Sequence, residues 1–228
     1  MNLEVCILAG GLSTRMGRDK ARLKFGGATM LARIRSVAEF GAPVSEPAPT
    51  RASPTGRFGD RRSVRVVRKD LVRRCGPLGG IVTALRSAKT EAVLFLACDM
   101  PLVSPALLRR IAHASRGGER AVFVAQSGRV GFPLLLPVKL LERVEAQIAA
   151  QEFSLQALAK KLRAHRVTMP ARSRALCNVN TPEDAARART WLSATPARLQ
   201  KAAASSDKNS SPSARRRGHD SPPPFGGA

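Results

Sequence analysis

The chain has 228 residues and a formal net charge of +23, from 39 Lys and Arg against 16 Asp and Glu. That length buries a full core, and no apolar run approaches the roughly 20 residues of a membrane span. The charge invites a nucleic-acid partner, but no zinc finger or aromatic stacking motif accompanies it, with no Tyr and one Trp, so nucleic acid is not the expected ligand. The four cysteines (Cys6, Cys75, Cys98, Cys177) are scattered without CxxC or His spacing, which excludes a zinc site of the usual kind and points to free thiols in a reducing cytosol. MNLEV runs straight into the first apolar stretch, so no cleavable targeting segment is expected, and the protein is expected to be cytoplasmic.

Taken in order, residues 3–9 form an apolar run interrupted only by Glu4, and it breaks at Gly10-Gly11 into a polar loop that carries Arg15, Arg18 and Lys20. This reads as a buried strand ending in a loop able to wrap an anion. Adjacent glycines let backbone N–H groups approach a phosphate without a Cβ in the way. Arg15 can fork two hydrogen bonds onto phosphate oxygens, and Lys20 adds a compact point charge. The spacing excludes two commoner phosphate loops. A Walker loop needs GK followed by Ser or Thr, and here Gly17 precedes Arg18 and Asp19. A dinucleotide fingerprint needs GxGxxG, which Gly10, Gly11 and Gly17 do not form.

A short extension at residues 23–25 and a Gly26-Gly27 turn lead to a helix opened by Ala28 or Thr29. Its apolar positions Met30, Leu31, Ile34, Val37 and Ala38 keep a helical period, and Gly41 and Pro43 end it. Residues 42–62, with Pro43, Pro47, Pro49 and Pro54, read as loop. Residues 64–67 recover as a short strand. Asp70 follows, and then GPLGG enters a helix through Ile81, Ala84 and Leu85, whose free N–H groups favour a nearby phosphate.

Residues 92–97 are apolar throughout and predict a buried strand of the parallel kind, with Asp99 where the strand ends and Pro101 stopping continuation. In open α/β sheets ligands gather outside the carboxyl ends of the strands. A carboxylate there, facing a loop rich in Arg and Lys, suits Mg²⁺ against triphosphate oxygens. Helix capping does not account for Asp99, because Ser104 with Pro105 already opens the next helix, over residues 104–115. His113 lies off that helix's apolar face and is expected to be solvated. Strands follow at 121–125 and 130–136, Pro133 confining the second to an edge or a bulge. Helices are expected at 138–150 and 154–162, and a last short strand at 167–169. Asn178 and Asn180 then project from one short segment before Thr181, a good N-cap, with Pro182, Glu183 and Asp184 in the first helical turn. Asn donates and accepts, so the pair can orient a phosphate or a heterocycle edge. From Ser193 the chain is rich in Ser, Pro, Ala and Arg and is expected to be a disordered basic tail.

The first stretch closely resembles the LAGGxSxRMGxDK signature of the molybdenum cofactor guanylyltransferases. Leu8-Ala9-Gly10-Gly11, Ser13, Arg15-Met16-Gly17 and Asp19-Lys20 fill every fixed place. GPLGG after Asp70 is similar to the family's GPLxG, Cys98-Asp99-Met100-Pro101 to its Cys-Asp-x-Pro, and the residues from Asn178 to Glu183 reproduce its NVNTPE. The resemblance covers about residues 3–192. It departs at residues 42–62, where the family's second strand and base-lining Asn segment have no counterpart.

That resemblance implies a three-layer, Rossmann-like α/β domain over residues 1–192, with a mostly parallel sheet. It implies an enzyme that transfers GMP from GTP to Mo-molybdopterin and releases pyrophosphate. Arg15, Lys20 and Asp99 would be catalytic, and Leu8, Ala9, Gly10, Gly11, Lys20, Asp70 and Asp99 would hold the nucleotide. Asp99 would hold the Mg²⁺, and Asn178 and Asn180 would contact the pterin substrate. Partner proteins would be those that build and accept the cofactor. Three other readings stay open: a cytidylyl or sugar-phosphate transferase with the same loop, a catalytically lapsed homologue, and a nucleic-acid binder driven by charge.

Overall fold

The computed structural model describes residues 2–9, 23–25, 27–41, 64–67 and 74–193. The chain divides into two units, Met1–Thr195 and Pro196–Ala228. The second unit, and with it the expected basic tail, lies outside the described residues, as do residues 42–63.

The first strand, β1 (Leu3–Leu8), is buried on both faces because it runs through the middle of the sheet. Val5, Cys6 and Ile7 are all 0% exposed. Two short strands, β2 (Lys24–Phe25) and β3 (Ala28–Thr29), form a hairpin whose turn residue Gly27 has φ +88°, a conformation glycine adopts without a Cβ penalty. Helix α1 (Met30–Gly41) follows directly. Thr29 is its cap: the Ala32 N–H donates to Thr29 Oγ1 at 3.1 Å.

The remaining elements are β4 (Val64–Val67), α2 (Pro77–Arg86), β5 (Ala92–Ala97), α3 (Pro105–Ala114), β6 (Val122–Gln126), β7 (Arg129–Pro137), a 3₁₀ turn at Val138–Leu140, α4 (Leu141–Ala149), α5 (Leu155–Lys161), β8 (His165–Met169) and α6 (Pro182–Ser193). The main sheet runs in the order β4-β1-β5-β7-β6-β8. Every pairing in it is parallel except those of β7, which is antiparallel to both β5 and β6. The sheet is therefore mostly parallel, as the sequence led us to expect.

Side chains alternate between its two faces. Val5, Ile7, Leu94 and Leu96 meet α1, α3 and α6 through residues such as Met30, Ile34, Leu108, Ile111 and Ala188. Cys6, Val93, Phe95 and Phe123 meet α2, α4 and α5 through Leu78, Ile81, Leu85, Val144 and Leu158. Three layers result. Each fully buried large side chain, such as Phe95 or Leu94, contributes about 1.5–3 kcal/mol to holding them together.

Pro133 resolves one alternative. β7 occupies an interior place in the sheet, with Leu134, Leu135 and Leu136 at 0% exposure. It tolerates the proline because the ladder with β6 shifts register between Phe123 and Val124, opposite that point. The bulge, rather than an edge, accommodates the missing N–H. Alongside it, Gln156 acts as a surrogate strand: its Oε1 accepts from Val130 N at 3.1 Å and its Nε2 donates to Val130 O at 2.6 Å.

None of the four cysteines forms a disulfide; Cys6 and Cys75 are buried and Cys98 and Cys177 half-buried. Burial, only partly offset by nearby Arg65, pushes the Cys6 thiol up to about 12, so it packs as a neutral group. His113 is exposed on α3. No helix among the described residues is long and apolar enough to cross a membrane.

Candidate active site

Three parallel strands end level with one another. Leu8 is in register with Val67 of β4 on one side and with Ala97 of β5 on the other. The ladder continues one residue further: Ala9 N donates to Val67 O at 2.8 Å and Cys98 N donates to Leu8 O at 3.1 Å. Three connecting segments therefore leave the sheet side by side at its carboxyl edge. The first, residues 10–22, contains Gly10, Gly11, Arg15 and Lys20; the second, residues 68–73, contains Asp70; both lie outside the described residues. Leu8 and Ala9 are half-buried at the root of the first. The third is the turn that carries Asp99.

Asp99 is half-buried, and its Oδ1 atom is shielded from solvent. Its backbone carbonyl accepts a hydrogen bond from Val179 N at 2.8 Å. That bond draws the segment Asn178-Val179-Asn180 to the end of β5. Val179 is 0% exposed and anchors the segment in the core. Its neighbours stand outside the core, Asn178 exposed and Asn180 half-buried. Of the residues expected at the site, Asp99, Asn178 and Asn180 are thus brought together, at the edge where Leu8 and Ala9 end their strand.

The segment is fixed by Asp184, whose part the sequence did not announce beyond a favourable charge at a helix start. Asp184 Oδ2 accepts from the N–H groups of Asn180 and of Thr181, each at 3.0 Å, and the Asp184 N–H donates back to Thr181 Oγ1 at 3.1 Å. Arg187 pairs with the other carboxylate oxygen. The Asn180 N–H, ahead of the other contacts, holds the Asp184 carboxyl below its usual range. Glu183 is also held low, first by its own backbone N–H and then by the Thr181 hydroxyl. The Thr-x-x-Asp spacing, a reciprocal cap related to the capping box, is the local signal that could have revealed this.

Helix α2 begins at the same edge of the sheet, after the segment that leaves β4. Its N-cap is Gly76, with φ +54° and ψ −140°, and Pro77 follows. Being glycine, the N-cap residue offers no side chain to the first N–H groups of this helix, and such groups favour an anion. A positive φ here explains the first glycine of GPLGG.

A divalent cation fits Asp99. The residue offers a carboxylate with one shielded oxygen at a strand end, and no group of three or more His, Cys, Asp or Glu among the described residues could hold an ion by itself. A cation there would take its other ligands from phosphates and water, which is the habit of Mg²⁺ in nucleotide sites.

Residues 5–167 match the family model described as the MobA-like NTP transferase domain. A molybdenum cofactor guanylyltransferase of Rhizobium meliloti is 34% identical over 200 residues, covering 82% of this chain and 90% of that protein. Among solved structures, the molybdopterin-guanine dinucleotide biosynthesis protein A of Archaeoglobus fulgidus superposes with a TM-score of 0.58 at 19% identity, over 84% of this chain and 100% of that one. The 2-C-methyl-D-erythritol 4-phosphate cytidylyltransferase of Thermus thermophilus gives a TM-score of 0.53 at 20% identity, over 84% and 98%. At those identities the structures speak for the fold, a nucleotidyltransferase α/β architecture.

Proposed function

The chain belongs to the MobA-like NTP transferase family, and from that membership we propose that it transfers GMP from GTP to Mo-molybdopterin, releasing pyrophosphate and forming the guanine dinucleotide form of the cofactor. The observation that carries the reading furthest is the hydrogen bond from Val179 N to Asp99 O. It sets a carboxylate and two amides beside the strand end from which the glycine loop departs. That arrangement suits two phosphorylated substrates meeting at one edge.

Phosphoryl-group transfer of this kind asks the protein for placement and charge more than for covalent chemistry. The terminal phosphate of the pterin attacks the α-phosphorus of GTP, and pyrophosphate leaves on the opposite side. The backbone of Gly10 and Gly11, following Leu8 and Ala9, cradles the triphosphate. Arg15 and Lys20 neutralise charge that builds on the leaving pyrophosphate. Asp70 contacts the nucleotide, and Asp99 would hold a divalent cation, Mg²⁺. When bound, such an ion withdraws charge from the phosphate oxygens. Asn178 and Asn180 orient the acceptor through amide hydrogen bonds.

The test is pyrophosphate release with molybdopterin acceptor and Mg²⁺, comparing GTP, CTP, ATP and UTP for the wild type and Asp99→Asn. Release with GTP should stand well above the other three. It should be nearly lost in the variant, since a neutral amide holds Mg²⁺ poorly. Equal or greater release with CTP would move the protein to a cytidylyl activity, and persistence in Asp99→Asn would remove the metal assignment.

A further inference from the structure

The turn after β5 is fixed from three directions. Its start is tied to β1 by Cys98 N–H on Leu8 O, and its middle to the Asn segment by Val179 N–H on Asp99 O. The third tie is a side chain: Arg33 Nε, on α1, donates to Pro101 O at 2.8 Å.

Arg33 is not needed to seat α1. Met30, Ile34 and Ala38, four residues apart, already give the helix a stripe that is at most 2% exposed. Arg33 is half-buried beside that stripe, and burial draws its guanidinium below the usual arginine value. Placing a cation there has a desolvation cost that a neutral residue would not carry. The hydrogen bond it makes is directed at the carbonyl two residues after Asp99.

The element it comes from matters too. The N–H of Met30, the first residue of α1, donates to Leu23 O at 2.7 Å. So α1 is anchored at the point where the chain returns from the glycine loop, and Arg33 links that point to the turn bearing the carboxylate.

We propose that Arg33 is a positioning residue for Asp99: by holding the Pro101 carbonyl it sets the turn in which the carboxylate meets the metal–nucleotide complex. This rests on Asp99 being the metal-binding carboxylate. Outer groups that orient a metal ligand typically change metal affinity by 10–100-fold when removed. A residue that only packed would change thermal stability and leave metal affinity alone.

The experiment is a Mn²⁺ titration of the full chain with GTP, following the electron paramagnetic resonance signal of free Mn²⁺, for wild type, Arg33→Met, Arg33→Lys and Asp99→Asn. Circular dichroism confirms folding of each. Arg33→Met should weaken Mn²⁺ binding about tenfold or more, and raise the Mg²⁺ concentration for half-maximal turnover more than it lowers kcat at saturating metal. Arg33→Lys, which keeps a charged donor, should recover most of the loss. Asp99→Asn should abolish GTP-dependent Mn²⁺ binding. If Arg33→Met does not fold, Arg33→Gln takes its place with the same expectation. Wild-type Mn²⁺ affinity in a folded Arg33 variant, with binding lost in Asp99→Asn, overturns the positioning role and leaves the Asp99 assignment standing. Unaltered Mn²⁺ binding in Asp99→Asn overturns the assignment and the positioning role with it.

Discussion

Glu4 of β1 and Arg65 of β4 form an ion pair of 2.6 Å at the amino end of the sheet, with the Glu4 side chain only 6% exposed. The same guanidinium donates through Nη1 to the backbone carbonyl of Ser87 at 3.1 Å and through Nη2 to that of Ala84 at 2.7 Å. It thus fastens the last turn of α2 to two strands. A cation at a helix carboxyl end is also favoured by the helix dipole. Because α2 is only ten residues long, fixing this end constrains the direction of the other, where Gly76 and Pro77 open the helix at the carboxyl edge of the sheet.

Arg65→Met should therefore leave a buried carboxylate without its cation. The cost expected for breaking such a pair is about 3–5 kcal/mol, and toward the lower end here because Arg65 is itself 28% exposed. Urea denaturation measures it. The double variant Glu4→Leu, Arg65→Met should recover much of the loss, and a double variant as unstable as the single one would show that the bonds to α2, and not the stranded charge, carry the effect.

Asp184 gives a pH dependence whose sign is fixed. Its carboxyl lies below the ordinary value of 3.8, first because the Asn180 N–H donates to it. A depressed folded value means that its stabilising contribution is complete at neutral pH and above the ordinary value, and is lost as pH falls through the folded one. Asp184→Asn should be less stable than wild type at neutral pH, with the gap closing in acid. Thermal midpoints taken down through pH 3 test this, and a gap that stays constant with pH would rule out the carboxylate as its source.

Lys20 is expected to contact the triphosphate. Lys20→Ala should weaken GTP binding by about 1.5–3 kcal/mol, the worth of one charge-assisted contact, with folding unchanged. Calorimetric titration of the folded variant is the measurement, and wild-type affinity would count decisively against the role.

The parts of this molecule that local chemistry determines could be read from the chain. Residues 92–97 announced a buried strand through an unbroken apolar run, Ser104-Pro105 announced a helix start, and both stand: Ser104 Oγ accepts from Leu107 N at 3.3 Å. What the chain concealed depends on partners distant in sequence. Nothing near Arg33 says that it will bond Pro101, and nothing near Arg65 says that it will gather Glu4, Ala84 and Ser87. The interior place of β7 was left open, since Pro133 allows either an edge or a bulge until the register shift opposite it is seen. Residues 138–150, read as one helix, instead start with a 3₁₀ turn at Val138–Leu140 before α4. The glycine loop, the most specific signal in the sequence, and Asp70 lie outside the described residues, so their roles rest on motif and family.

Asn178 and Asn180 offer the sharpest separation of acceptor from donor. Both flank the buried Val179, whose N–H ties them to Asp99, yet their surroundings differ. Asn178 is exposed, so removing its amide should alter stability by no more than about 0.5 kcal/mol. Asn180 is half-buried and its backbone is held by Asp184, so its side chain presents from a fixed base. If the pair reads the acceptor, Asn178→Ala and Asn180→Ala should each raise KM for molybdopterin by about 5–10-fold, the range of one neutral hydrogen bond of about 1 kcal/mol or slightly more. KM for GTP should stay within about twofold, because an interaction confined to one substrate leaves binding of the other unchanged. The larger loss should fall on Asn180, since a preorganised donor gives up less entropy on binding and contributes more when present. Steady-state kinetics with each substrate varied in turn decides the matter. A rise in KM for GTP with the acceptor unaffected would transfer the two amides to the nucleotide side of the site.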